Sequence, residues 1–416
     1  MNINQQHLVT LLSAAIRSDK IENNKITNID WNIIFKLAKE QNIFAILYFT
    51  VKNLDEDIKP NKKIMSEWKK QTILAGLLQK QNINKIGLVL NAFKNKSIQV
   101  MALKGLIFRE LYPSKELRNM GDNDLLIHKN DLDNVKEILL QSGYYEDYSD
   151  LKHVLFLNEN GLRIEIHWLL INTESFKHAE YLEKKIWENA LCIDIGGTKV
   201  LKPSVQNQIL HMFLHMVAHF ISSGFGLRQL CDLVLFVEAK KDEIDWDELT
   251  QSIQKCKIDN FVITIFEVCR RMFDLSLPQK LYGNKFFNNQ SFNNQCIDKM
   301  IYNIFSGGIY GGIFGKTNFL LVDDELFSYY KNKGQGSDIR RKFKYLIKLF
   351  FPSPQRLNDR YNYARYYNIF LPIAWTHRLV YGILRKDYTN DEKKNPLSFN
   401  SDKLRERAEL FKGLGL

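Results

Sequence analysis

Two aspartates two residues apart, Asp122 and Asp124, stand directly before an apolar run in the stretch GDNDLLI. Side chains at i and i+2 of a strand point to the same face. The pair therefore projects together, with Asn123 on the opposite face. A third carboxylate, Glu165, follows in RIEIHW. A strand facing the aspartates and carrying Glu165 completes a cluster of three carboxylates. Clustered oxygen ligands are what Mg²⁺ prefers, with Mn²⁺ as the alternative, and phosphates usually accompany them.

The same stretch supplies an anion site. Residues 98–103, IQVMAL, read as a short apolar strand. Lys104-Gly105 follow as a tight turn, and LIFRELY reads as a helix. A strand, a glycine turn and a helix N-terminus aim free backbone N–H groups and the positive dipole end at a ligand. Lys104 adds a mobile charge there. Arg118, four residues before Asp122, falls in a loop beside the site and is assigned a phosphate contact. His167 has three readings: it orders Glu165, touches a phosphate, or only ends the strand.

The order strand–LKG–helix, then R-x-M-G-D-x-D-L-L, then a hairpin ending in E-x-H-W, resembles an uncharacterised bacterial branch of the nucleotidyltransferases. That superfamily has a DNA polymerase β-like core, with a Gly-Ser turn, Asp-x-Asp and a third carboxylate on a later strand. Lys104-Gly105 stand at the Gly-Ser position, so the serine is absent. The resemblance implies an α+β fold: a mixed sheet with helices, embedded in mostly helical N- and C-terminal regions. It implies metal-dependent transfer of a nucleoside monophosphate from an NTP to an acceptor hydroxyl, releasing pyrophosphate. Asp122, Asp124 and Glu165 are the implied catalytic and metal-holding residues. Lys104, Gly105, Arg118 and His167 are the implied nucleotide contacts. The acceptor stays open among a sugar, another small molecule, a protein hydroxyl and an RNA end.

Around this core the chain reads as helices. Residues 1–96 form a helical region, with Asp30 as an N-cap, and 97–203 form the catalytic core. In the core, NDLDNVKEILLQSGY is a helix stopped by Gly143, and KHVLFL and RIEIHWLL make a hairpin through NENG. LCIDIGGTKVL carries a D-I-G-G-T-K like the phosphate turn of sugar kinases, but a Gly-Gly hairpin is the better reading. Residues 204–275 form a second helical region, in which His211, His215 and His219 share one helix face. They lack the glutamate of H-E-x-x-H and read as core histidines. Arg228 and Asp232, at i and i+4, read as an intrahelical ion pair. Residues 276–416 form a basic, aromatic-rich and mainly helical region, and its GGIYGGIFGKT lacks the spacing of a P-loop.

Charge is placed unevenly. Residues 331–386 hold thirteen Lys and Arg against two acids, a balance equal to the +11 of the whole chain. Three uses of this segment compete: a solvated face of packed helices, weak contact with an anionic surface, or nucleic-acid binding. The last makes the chain a nucleic-acid binder, and a further alternative is a catalytically inactive fold that binds or regulates. Five scattered cysteines, with no C-x-x-C, suit reduced thiols and a cytoplasmic location. No transmembrane segment is expected, because no run of eighteen apolar residues occurs.

Overall fold

The first helix starts because Asn2 and Gln5 cap each other: the Gln5 N–H donates to Asn2 Oδ1 and the Asn2 N–H to Gln5 Oε1, at 2.9 and 3.0 Å. This helix, α1, spans Ile3–Arg17. In this computed structural model, residues 1–22, 25–171, 180–222, 224–278, 294–306, 367–384 and 409–416 are described, with single positions between 347 and 364. The loop GGIYGGIFGKT and most of the basic segment 331–386 lie outside the described residues. Two compact units emerge, one of residues 1–312 with Gly415, the other of 313–414 with Leu416.

Asp30 caps α2 (Trp31–Glu40), its carboxylate accepting from the Asn32 and Ile33 amides. The helix ends before Asn42, whose φ of 52° no helix continues, and α3 (Phe44–Lys52) follows. Asn61 then caps α4 (Lys62–Asn95), a helix of 34 residues and so about 50 Å long.

Seven strands form one mixed sheet in the order β3-β4-β5-β2-β1-β7-β6. They are β1 (Val100–Ala102), β2 (Asn123–Ile127), β3 (Tyr144–Ser149), β4 (His153–Asn158), β5 (Arg163–His167), β6 (Leu191–Ile195) and β7 (Thr198–Lys202). The fold is α+β, as the resemblance implied. The β4–β5 hairpin pairs antiparallel and β5 pairs parallel with β2. The expected Gly-Gly hairpin joins β6 to β7, with Gly196 and Gly197 at φ 59° and 84°.

One face of the sheet is covered by α4 and by α6 (Leu132–Gln141). Val135 and Leu139 of α6 and Ile86, Leu90 and Phe93 of α4 bury against Ala102, Leu125, Ile127, Ile164 and Ile166. Asn123 also points to this side, where it exchanges hydrogen bonds of 3.1 and 2.9 Å with Asn82 of α4. Its neighbour Asp124 therefore faces the other side, by the strand alternation.

Beyond the sheet come α7 (Glu180–Lys185), α8 (Val205–Ser222), α9 (Leu227–Lys240), α10 (Trp246–Cys256), α11 (Asp259–Phe273) and α12 (Asn294–Ser306). Arg17 ties the N-terminal helices to this group. Its guanidinium meets Glu238 at 2.6 Å and donates to the Phe273 carbonyl at 2.6 Å. Buried Gln41 does the same, donating to the Ile304 carbonyl and accepting from the Leu227 amide. In the second unit, α13 (Leu371–Leu384) buries Ala374 with Leu357, Tyr361 and Ala364. Among the described residues, no helix is long and apolar enough to cross a membrane.

The contact between α4 and the Gly196 turn generates a test. A Cβ on Gly87 would stand 2.4 Å from the Gly196 carbonyl oxygen, and neither backbone can step aside. Helix propensity alone predicts that Gly87→Ala gains about 1 kcal/mol. Overpacking against backbone reverses the sign, and a loss of about 1–3 kcal/mol is expected in urea unfolding. Gly121→Ala, where nothing lies within 4 Å of the added carbon, should be near neutral.

Candidate active site

The site forms where β2 lies between β1 and β5. Asp124 and Glu165 are register partners across the parallel β2–β5 pair, so the two carboxylates emerge side by side. His167, two residues on from Glu165, shares its face. The Leu103 amide donates to the Asp124 carbonyl at 3.0 Å, which holds the Lys104–Gly105 turn against the same aspartate.

Asp124 Oδ1 is the meeting point. Lys104 Nζ lies 2.5 Å from it and His167 Nε2 lies 3.0 Å from it. His167 Nε2 also lies 3.3 Å from Glu165 Oε2. Both of these oxygens accept, so Nε2 carries the proton. Asp124 and His167 are each 2 % exposed, whereas the Glu165 side chain retains 22 %. Glu165 is therefore the member of the set that a second substrate can reach.

Electrostatics follow from that geometry. Burial alone would raise the Asp124 carboxyl, but the Lys104 and His167 partners outweigh it and hold it far below the ordinary carboxylate range. Burial would lower Lys104; Asp124, Glu165 and Asp122 together raise it instead. His167 is likewise raised, its hydrogen bonds to Asp124 and Glu165 overcoming desolvation. For Glu165, the His167 contact overcomes burial and lowers the pKa. Asp122 behaves oppositely: burial first, then Asp124 and Glu165, push it up to about 6.

Asp122 precedes β2 rather than lying in it. The groups whose ligand atoms all fall within 4.8 Å of one another are Asp124, Glu165 and His167, not the three carboxylates expected from the sequence. Asp122 stands beside this set as a charged neighbour. The two carboxylates suit a hard cation such as Mg²⁺ or Mn²⁺, and the His167 N–H orients both of them. The Lys104 ammonium already marks the spot as one that favours positive charge.

The turn differs from the expected helix start. The helix after Lys104, α5 (Gly105–Phe108), is a single turn that passes into a 3₁₀ turn at Arg109–Leu111. Lys104 itself adopts φ 47° and ψ −118°, a conformation that favours glycine and costs about 1–3 kcal/mol for another residue. Gly105 has no room for a side chain: a Cβ would meet Arg118 Nη1 at 2.7 Å and Met120 Sδ at 2.9 Å. A serine at this position would thus displace Arg118.

Arg118 is buried, and its fork is engaged. Nε donates to Asp232 Oδ1 at 3.0 Å and Nη2 to Oδ2 at 2.6 Å. Tyr112 Oη donates to the same Oδ1 at 2.8 Å. Asp232 was expected to pair with Arg228 along α9, but the crossing from Arg118 offers a bidentate match that an i,i+4 pair does not. Arg228 instead donates to the Asn119 carbonyl at 2.8 Å.

Three further features border the site, of which Lys152 escaped the sequence reading. Lys152, one residue before β4, belongs to its charge field, its pKa lowered by burial and then by Lys104. His153 stacks on His167 with ring centroids 5.1 Å apart. The α8 histidines face the site, since Lys104 and Asp124 both act on His211 and His219.

The opposite shifts of the two aspartates generate a test in metal-free buffer. Unfolded Asp122 ionises near 3.8 and folded Asp122 near 6, so the unfolded chain ionises first. Raising the pH from about 4 to about 6 therefore costs stability, and the penalty is complete above 6. Asp122→Asn should raise Tm at pH 8 and leave it unchanged at pH 4. Asp124→Asn strips a partly buried cation of its partner and should lower stability at pH 8 by about 1–3 kcal/mol. Equal Tm shifts for the two variants at pH 8 would contradict these charge assignments.

No curated protein matches the chain. A crystal structure of an antigenic nucleotidyltransferase-like protein from Paracoccidioides brasiliensis is similar at 14 % identity and a TM-score of 0.32. That similarity covers 49 % of this chain and 98 % of the other. Residues 27–274, more than half of the chain, match a family described as uncharacterised nucleotidyltransferases, and the chain belongs to that family.

Proposed function

We propose that the protein moves a nucleoside monophosphate from an NTP to an acceptor hydroxyl, and that pyrophosphate leaves. The observation that carries this reading is the register pair Asp124–Glu165 beside the Lys104–Gly105 turn. Two carboxylates and a phosphate-sized basic turn meet at one point.

Asp124 and Glu165 would hold Mg²⁺ or Mn²⁺, which offsets charge on the phosphates when bound. The rest is the work of the chain itself. Lys104 turns from Asp124 toward the outer phosphates, and the first amides of α5, which have no intrahelical acceptor, face the same group. Arg118 supports the turn from below Gly105. The acceptor oxygen bonds to the α-phosphorus as the bond to the β-phosphate oxygen breaks. Glu165, the exposed carboxylate, takes the acceptor's proton on Oε2. His167 keeps Glu165 and Asp124 in place through its single N–H. Asp122 shapes the local field and is not required to hold the cation.

A second reading, a fold that binds nucleotide without turnover, draws on one contact. The Lys104 ammonium occupies the Asp124 oxygen that a cation needs. Incubation of the protein with each labelled NTP, Mn²⁺ and a cell lysate separates the two. Label transferred to an acceptor supports the enzyme; labelled nucleotide retained without transfer supports the binder. On the first reading, Asp124→Asn and Glu165→Gln should each reduce transfer about 10²-fold or more. Asp122→Asn should fall markedly less than either.

Lys104 offers a sharper test. Lys104→Met frees the Asp124 oxygen, so Mn²⁺ should bind more tightly in the absence of nucleotide. The same change should weaken NTP more than the corresponding monophosphate. Electron paramagnetic resonance of Mn²⁺, with and without each nucleotide, reads both effects. Weaker Mn²⁺ binding in the variant would remove Lys104 from the cation seat.

A further inference from the structure

On α8, side chains four residues apart stack along one face. His215 and His219 do more than stack: their Nε2 atoms approach to 3.0 Å, with ring centroids 4.3 Å apart. Two nitrogens bound to one ion at about 2.0–2.1 Å stand about 3.3 Å apart at a tetrahedral angle and about 2.9 Å apart at a right angle. The observed separation falls between these limits. One turn upstream, His211 is 1 % exposed, and its Nε2 has no hydrogen-bond partner among the described residues. Its ring lies 5.9 Å from that of His215.

We infer that His215 and His219 form a second cation seat, distinct from Asp124 and Glu165, that takes a borderline transition-metal dication such as Zn²⁺ or Co²⁺. Imidazole nitrogen suits these ions and not Mg²⁺, so the two seats sort cations by ligand chemistry. Both rings are neutral at pH 7, as a ligand must be. Burial, followed by the nearby Lys104 charge, lowers His215 well below its ordinary value and His219 to about 4. Among the described residues two protein nitrogens are supplied, one fewer than the usual catalytic zinc site, and the remaining positions fall to water or a bound molecule. Both residues are partly buried. This seat does not depend on nucleotidyl transfer, and its test reads no activity.

The ordinary alternative is one N–H···N hydrogen bond between two imidazoles, which has a similar length. Metal titration separates them. Full-length, untagged protein without nucleotide, in which Lys104 holds the Asp124 oxygen, is titrated with Co²⁺ and followed by visible absorption. One equivalent should bind, persist in Asp124→Asn and Cys192→Ser, and disappear in His215→Gln and His219→Gln. Ring ¹⁵N resonances of wild-type His215 and His219 should shift when Zn²⁺ is added, a readout that survives even where a variant fails to fold. Co²⁺ binding that disappears with Asp124→Asn, or that is unchanged in both histidine variants, would overturn the seat. Unshifted ring resonances would reduce the contact to a hydrogen bond.

Discussion

Asp124 is the group on which the rest of the site depends. A buried carboxylate is costly unless opposite charge and hydrogen bonds reach it. Here both arrive at one oxygen, from Lys104 and from His167. Each arrives by a separate backbone route. The parallel β2–β5 register delivers His167 and Glu165, and the Leu103–Asp124 backbone bond delivers the Lys104 turn. The glycine-like φ of Lys104 makes sense in this light. A strained residue persists when its surroundings over-determine it. A strong charge pair with Asp124 on one side and a filled space beside Gly105 on the other do so.

A second buried ion pair supports the first. Arg118 meets Asp232 through two nitrogens, and Tyr112 completes the carboxylate. Burial, then the Asp232 charge, pushes the Tyr112 hydroxyl well above its ordinary pKa, so it remains a donor. Through this contact α9 helps to set the position of Arg118, and Arg118 occupies the space that would otherwise admit a side chain at Gly105. The helices after the sheet therefore help to shape the Lys104–Gly105 turn. Arg228, bonded to the Asn119 carbonyl, reinforces the same loop from the same helix.

What the sequence made legible was local. The Asp30 cap, the β4–β5 hairpin and the Gly196–Gly197 turn are each specified by a few neighbouring residues, and each is found. Alternation along RIEIHW placed Glu165 and His167 on one face, away from Ile164 and Ile166. The misreadings share a tertiary cause. β2 starts at Asn123, so Asp122 stands just outside the strand, and the tight group is Asp124 and Glu165 with His167 bridging them. Asp232 has a plausible partner four residues away, and nothing local announces that Arg118 crosses to take it. The helix after Gly105 ends after one turn, whereas its apolar pattern carries on unchanged.

The charge balance at the site argues that cation and nucleotide belong together. Asp122, Asp124 and Glu165 face Lys104 and a histidine whose pKa is raised, so positive charge already offsets part of the carboxylate charge. On the proposed reading, a dication entering alone would displace the ammonium from Asp124 Oδ1, and two positive charges would then share one pocket. At effective dielectric constants near 20, unit charges about 4 Å apart interact by about 4 kcal/mol, so that arrangement is strongly disfavoured. A triphosphate would remove the conflict, because its outer oxygens would accept the displaced Lys104 while its charge offset the added ion. On this view Lys104 at the glycine position is a substitution with a consequence rather than a defect in the turn. It keeps the carboxylates compensated when nothing is bound, and it makes the anionic partner part of what the cation requires.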